Sequence, residues 1–153
     1  MTRNKTENSQ DIRTPNFKWL KLWMRIVGAF YLFLFVAAAI LKLPIQTLAP
    51  EGTLEKADAG DAVARFLVDT WVILGLAIGA LGVALLLASR VSSRAKVLVW
   101  TVIGFELIWG LCSDMYQLMR GHSIEVIGIW IVIHIAFITT GMWALQGTRI
   151  TED

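Results

Sequence analysis

Two carboxylic acids and one histidine lie inside apolar stretches of this sequence. Glu106 and Asp114 belong to the segment 96–120, and His134 belongs to the apolar segment that follows it. An ionisable side chain within a lipid bilayer costs about 3 kcal/mol, so such groups usually have a partner and a function. A carboxylate and an imidazole together can share a proton, form an ion pair or hold a ligand. The chemistry open to this protein therefore centres on Glu106 and His134.

The segment 96–120 is long enough to cross a bilayer as a helix, since a span needs about 20 mostly apolar residues. On an α-helix, one face of it carries residues at i, i+4, i+7 and i+11: Glu106, Gly110, Ser113 and Gln117. Lipid cannot satisfy a polar face. The spacing therefore predicts that the other spans cover this face.

Glu106 and His134 are expected to meet near the middle of the membrane. At about 1.5 Å per residue, Glu106 lies ~15 Å from Lys96 at one edge, and His134 lies ~13 Å from Glu125 at the other. The hydrocarbon core of a bilayer is about 30 Å thick, so both residues are expected near its middle. Two interpretations stay open: a proton-linked or ligand-binding site, or an interhelical hydrogen bond that holds the bundle together.

Tryptophans near the polar stripe suggest a pocket. Trp109 lies one turn from Glu106, and Trp71 and Trp130 also fall inside apolar segments. Indoles beside a buried acid can line a site for a flat hydrophobic ligand such as a quinone or an arene, although they are more often ordinary core residues.

A second polar cluster is predicted nearer the outer face. Asp69 lies ~6 Å inside Arg65 and Asp114 lies ~9 Å inside Arg120, so the two carboxylates are expected at similar depth. They would form either salt bridges at the helix ends or the mouth of a cavity. Their spacing matches no metal-ligand motif, and the sequence contains no phosphate-binding loop or paired haem histidines. We therefore predict no metal and no cofactor.

Composition places the chain among integral membrane proteins. It has 153 residues, of which 56% are hydrophobic, and its mean hydropathy is +0.62. The apolar runs predict an all-α, up-down four-helix bundle over 17–147, with spans at about 19–41, 65–89, 97–118 and 124–146. The polar ends, 1–16 and 148–153, are predicted to be cytoplasmic tails, the first of them disordered. The connection 43–64 is acidic and contains two prolines, which predicts an ordered outer loop.

The basic residues predict the orientation. With the N-terminus inside, ten Lys and Arg residues fall in cytoplasmic segments and four fall outside, which satisfies the positive-inside rule. Both termini should therefore be cytoplasmic. Trp19 and Trp23, beside Lys18 and Lys21, are expected to anchor the first span at headgroup level. Because these basic residues flank apolar runs, nucleic-acid binding is not supported.

Small residues in the second span predict close helix packing. Gly75, Gly79 and Gly82 fall at i, i+4 and i+7 on one face. Such a face lets another backbone approach, which is a main route of helix association in lipid. The partner could be another span of the same chain or a second copy in a homo-oligomer.

The string RIVGAFYLFLFVAAAILKLPIQTLAPEGTLEKADAGDAVARFLVDTW resembles the BphX-like small bacterial membrane proteins, and the likeness continues through VLVWTVIGFELIWG into the fourth span. The wider DoxX-like proteins are similar only in architecture. The resemblance implies a four-helix protein of the bacterial inner membrane, in a family named from biphenyl-degradation gene clusters. It transfers no functional residue.

These observations favour a non-enzymatic membrane protein that binds a hydrophobic small molecule or serves as an accessory partner of a membrane complex. Two other classes stay open: a redox accessory subunit beside the quinone pool, and a proton-coupled transporter that works as an oligomer.

Overall fold

The computed structural model describes residues 17–91 and 95–146, and the regular structure within them is entirely helical. Within these residues, four helices are long and apolar enough to cross a membrane. They are span 1 (Lys18–Ile40), span 2 (Ala62–Ala88), span 3 (Ala95–Met119) and span 4 (Ile124–Gln146). The all-helical class and the four apolar helices agree with the prediction. The predicted tails 1–16 and 148–153 lie outside the described residues.

Spans 1 and 3 each contain a π-helical segment. Span 1 consists of α1 (Lys18–Phe35) and the π-helical segment Val36–Ile40. Span 3 consists of α5 (Ala95–Phe105), the π-helical segment Glu106–Leu111 and α6 (Cys112–Met119). A π-helical turn holds more residues than an α-helical one, and such turns often occur at functional sites. Spans 2 and 4 are the uninterrupted helices α4 and α7.

Spans 1 and 2 form a tightly packed antiparallel hairpin through the glycine face. A Cβ on Gly82 would lie 2.8 Å from the carbonyl oxygen of Gly28, and a Cβ on Gly79 would lie 2.9 Å from the Phe35 side chain. Gly75 lies against Ala38 at 3.0 Å in the same way. The glycine face of span 2 is therefore occupied by span 1 of the same chain.

Span 1 also contacts spans 3 and 4, and this central position makes it the core of the bundle. Leu20, Met24 and Val27 of span 1 are buried in one apolar cluster with Val99 and Val102 of span 3. The four spans thus form two hairpins, spans 1–2 and spans 3–4, and the two hairpins contact each other chiefly through span 1.

Trp23 lies inside the bundle, so its predicted role as a headgroup anchor is wrong. Only 6% of its surface is exposed, and its indole packs on Gly141, where a Cβ would lie 2.9 Å from the ring. The indole N–H donates to the Thr140 hydroxyl of span 4 at 3.1 Å. Trp19 remains about half exposed and packs against Trp143, with ring centroids 5.2 Å apart. Trp23 is buried and Trp19 is not because Gly141 of span 4 leaves room between the helices for the indole of Trp23.

The connection between spans 1 and 2 is ordered and contains two short helices, α2 (Leu43–Leu48) and α3 (Thr53–Asp58). Span 1 ends where Lys42 adopts a left-handed conformation, with φ at 55°, and Pro44 then lies in the first turn of α2. The Asp61 carboxylate caps α4 by accepting from the Ala64 N–H at 2.8 Å. The two short helices and the turns around them, residues 43–61, form an acidic cap on span 2. Ile45 and Ala57 of this cap are buried against Ala64 and Val68 of span 2, and Trp71 packs against them.

A buried polar network between spans 1, 3 and 4

Glu106 lies at the start of the π-helical segment of span 3 and is 2% exposed. Its carboxylate contacts side chains from two other spans. The Tyr31 hydroxyl of span 1 donates to Oε1, and His134 Nδ1 of span 4 bonds Oε2. With Glu106 ionised, Nδ1 must carry the proton, because a carboxylate only accepts. The expected contact between Glu106 and His134 is therefore present, and both carboxylate oxygens are satisfied.

Gly110 makes room for the imidazole. A Cβ at this position would lie 2.5 Å from His134 Nδ1 and 2.6 Å from its Cε1. The ring therefore lies directly on the backbone of span 3, one turn after Glu106. Any larger residue at 110 would displace the imidazole from the carboxylate.

Asp114 belongs to the same network. His134 Nε2 lies 3.6 Å from Asp114 Oδ2, beyond hydrogen-bond distance. Asp114 is 5% exposed, and Oδ2 is a buried side-chain oxygen with no hydrogen-bond partner among the described residues. A buried acceptor without a partner is unfavourable and calls for an explanation.

The predicted outer cluster of Asp69 and Asp114 is wrong. Asp69 is exposed on span 2, whereas Asp114 is buried beside His134 of span 4. Counting residues along a helix estimates the depth of each carboxylate in the membrane. It does not say which face of the helix the side chain lies on. Asp69 points away from the network, and Asp114 points into it.

The π-helical segment explains why Asp114 replaces Ser113 on the buried face. At about 100° per residue, an uninterrupted α-helix would place Ser113 about 20° from the direction of Glu106 and Asp114 about 80° away. The wider turn over Glu106–Leu111 rotates the following residues back, so that Glu106, Gly110 and Asp114 are buried. Ser113 and Gln117 are half-buried. The first two positions of the predicted stripe, Glu106 and Gly110, are buried, whereas Ser113 and Gln117 lie at the edge of this face.

Aromatic rings surround the tyrosine end of the network. The Tyr31 ring lies 6.4 Å from the rings of both Phe105 and Phe137. Trp109 stacks on Phe105 at 5.0 Å and remains 39% exposed. Of the three tryptophans expected to line a pocket, Trp71 packs against the cap and Trp130 is half-buried on span 4, so the three do not converge.

Tyr31 is a network residue that the sequence analysis missed. It is one of two tyrosines in the chain and lies in the otherwise apolar centre of the first span. A phenol hydroxyl in hydrocarbon needs a hydrogen-bond partner. The sequence therefore held a signal for Tyr31: its hydroxyl needs a partner, and the residue lies at a depth in the membrane close to that of Glu106.

The arrangement can hold protons and hydrogen-bonded groups. An imidazole lies between two buried carboxylates, with Nδ1 bonded to Glu106 and Nε2 facing Asp114. One oxygen of Asp114 has no hydrogen-bond partner in the part of the chain that the structure describes, so it can accept from a further donor. Such a set of titratable groups can bind a proton, a polar group of a ligand, or both.

Comparisons with known proteins agree with the resemblance seen in the sequence. A family model described as BphX-like matches residues 17–150. An uncharacterized BphX-like protein of Burkholderia cepacia is 28% identical over 128 residues, which cover 81% of this chain and 88% of the relative. A second, from Paraburkholderia xenovorans strain LB400, matches to the same extent. No solved structure matches. This chain belongs to the BphX-like family.

Proposed function

We propose that this protein is a non-enzymatic, multi-pass protein of the bacterial inner membrane, with both termini cytoplasmic, and that it binds a hydrophobic small molecule at the buried polar network. Four apolar helices of spanning length support the membrane location. The excess of Lys and Arg on one side supports the orientation. The relatives that match the chain come from bacteria.

The outward surface of span 4 suits contact with lipid. Large apolar side chains are exposed along its length, among them Ile129, Val132 and Ile135. A soluble protein would rarely expose so continuous an apolar surface. In a bilayer the same side chains face lipid tails, whereas His134 of this span faces the bundle.

The free oxygen of Asp114 is the observation that carries the binding proposal. The two oxygens of Glu106 are already bonded, whereas Asp114 Oδ2 is buried and has no hydrogen-bond partner within 17–91 and 95–146. It lies beside His134 Nε2 at the seam between spans 3 and 4. A polar group of a ligand that donates to this oxygen would satisfy it, while the apolar body of the ligand would lie among the spans.

Native mass spectrometry of the protein purified in mild detergent tests this proposal. Wild type should retain one discrete hydrophobic molecule, and Asp114→Asn and Glu106→Gln should lose most of it. Asp69→Asn is the matched control, because it removes an exposed carboxylate from a span without touching the network. A bare wild-type protein, or the same molecule bound equally to all variants, would contradict the proposal.

The same experiment separates the competing functions. A retained protein subunit would favour an accessory role in a membrane complex. A retained quinone, together with a quinone-dependent redox signal, would favour the redox accessory subunit. Proton-dependent flux in liposomes would favour the oligomeric transporter.

Reporter fusions test the orientation. A reporter that is active only in the cytoplasm should be active at both the N- and the C-terminus, and inactive within the acidic cap at 51–60. Activity in the cap would contradict the proposed topology.

A further inference from the structure

The charges of the network do not balance when every group is in its usual ionised form. Four titratable side chains face one another: Tyr31 from span 1, Glu106 and Asp114 from span 3, and His134 from span 4. The ion pairs described for the two carboxylates are both with His134. Two carboxylates and one imidazolium carry a net charge of −1. A net charge among apolar helices is strongly disfavoured, so the network needs one more proton to become neutral.

The hydrogen bonds identify which groups can hold that proton. Glu106 accepts from Tyr31 and from His134 Nδ1, so neither oxygen needs a proton of its own. Protonating Glu106 would remove the charge that stabilises these two donors. The remaining positions are Asp114 Oδ2 and His134 Nε2, which lie 3.6 Å apart.

We propose that Asp114 and His134 form a proton-binding site that takes up and releases one proton per chain, while Glu106 stays ionised and holds the imidazole in place. In the loaded state Asp114 is a neutral acid and His134 is an imidazolium, so the network is neutral with Glu106. In the unloaded state one proton remains between Oδ2 and Nε2, and the network carries −1. This site involves the same residues as the proposed function but requires no bound molecule.

Gly110 and Tyr31 are positioning residues for this site. Gly110 lets the ring lie on the helix, and Tyr31 bonds the oxygen of Glu106 that His134 does not use. Together they fix the ring so that Nε2 points at Asp114. The imidazole side chain keeps 13% of its surface exposed.

Infrared spectroscopy of the full chain in lipid nanodiscs tests the site. Near neutral pH, exposed Asp and Glu side chains are ionised, so a protonated carboxyl signal reports a buried acid. Wild type and the exposed-carboxylate control Asp69→Asn should each show one protonated carboxyl per chain. Asp114→Asn should lose this signal, and alkaline buffer should remove it from wild type.

Nitrogen NMR gives an independent measurement in a His122→Asn background, where His134 is the only histidine. Both ring nitrogens should carry protons whenever the carboxyl signal is present. Absence of a protonated carboxyl in folded wild type would overturn the site. A signal that survives in Asp114→Asn and disappears in Glu106→Gln would place the proton on Glu106 and overturn the assignment. Neither readout depends on a bound molecule, so this proposal and the ligand proposal can fail separately.

Discussion

Glu106 joins three spans through one side chain. Its two oxygens bond Tyr31 of span 1 and His134 of span 4, while its backbone belongs to span 3. Side-chain hydrogen bonds between membrane helices contribute about 0.6–2 kcal/mol each. A carboxylate in hydrocarbon is tolerated here because it accepts both of these bonds.

Replacing Glu106 should separate the contribution of hydrogen bonding from that of charge. Glu106→Ala leaves two buried groups without a partner and should lower the free energy of unfolding by about 1–3 kcal/mol. Glu106→Gln keeps the shape and part of the hydrogen bonding and should cost less. Unfolding in mixed detergent micelles would measure both values. Equal, negligible effects would mean that the side chain faces water or headgroups.

Counting residues from the end of each span gives the depth of a side chain in the membrane, because the rise per residue is nearly constant in helices. This depth was enough to predict the contact between Glu106 and His134. It was not enough for Asp114, whose direction depends on the local helical twist. Tyr31 was missed for a different reason: a tyrosine in an apolar span has the same pattern as a phenylalanine until its hydroxyl partner is known.

The π-helical segment of span 3 is the element that builds the network. It begins at Glu106 and ends at Leu111, immediately before α6. The sequence ELIWGL gives no signal for a π-helical turn, since it contains neither a proline nor a pair of small residues. Tertiary contacts at Gly110 and His134 accompany the wider turn, and such contacts are not visible in a single sequence.

Alanine at position 110 should disrupt the network, whereas alanine at position 104 should not. A Cβ on Gly110 would overlap the His134 ring. A Cβ on Gly104 in the same span would meet no side chain or other helix within 4 Å among the described residues. We expect Gly110→Ala to cost about 1–3 kcal/mol of unfolding free energy. The protonated carboxyl signal should persist into more alkaline buffer than in wild type, because a buried acid without a neighbouring imidazolium favours its neutral form. Gly104→Ala should be neutral or stabilising by up to about 1 kcal/mol. Similar behaviour of the two variants would argue against the position of the ring.

The hairpin of spans 1 and 2 allows a second glycine test. Gly82→Ala would bring a Cβ to 2.8 Å from the backbone oxygen of Gly28, which cannot move without shifting a helix. We expect a loss of about 1–3 kcal/mol. Gly128→Ala on span 4 is the control, since its nearest neighbour is the Ile124 side chain at 3.9 Å. Thermal unfolding in mild detergent would compare them, and equal melting temperatures would contradict the packing.

For the whole molecule, the apolar runs were sufficient to predict four helices, and short connections were sufficient to predict antiparallel neighbours. The central position of span 1 was not predictable. It depends on which small residues face which large ones, as Gly141 faces Trp23. Tryptophans are enriched at the membrane interface on average, and this average did not predict the position of Trp23. The space beside Gly141 that takes its indole is a local feature of the packing.

The hydrogen bond between Trp23 and Thr140 helps to dock span 4 on span 1. Trp23→Phe keeps a ring but loses the donor and part of the packing surface, and Thr140→Val loses the acceptor. Each should cost about 1 kcal/mol, and the double variant should cost less than the sum of the two. Strict additivity in a double-mutant cycle would show that the two side chains do not interact.

The extra residue in the turn of span 3 also bears on how this protein and its relatives can diverge. Deleting one residue between Glu106 and Asp114 would allow a regular α-helix there. The acid would then follow Glu106 by seven residues, about 20° from its direction, and would stay on the face that meets His134. Insertions and deletions inside membrane helices are usually damaging, yet this turn offers a place where one residue can be gained or lost with the helix intact. Members of the family should therefore fall into two length classes at this point, with the acid eight residues after the glutamate in the longer class and seven residues after it in the shorter one.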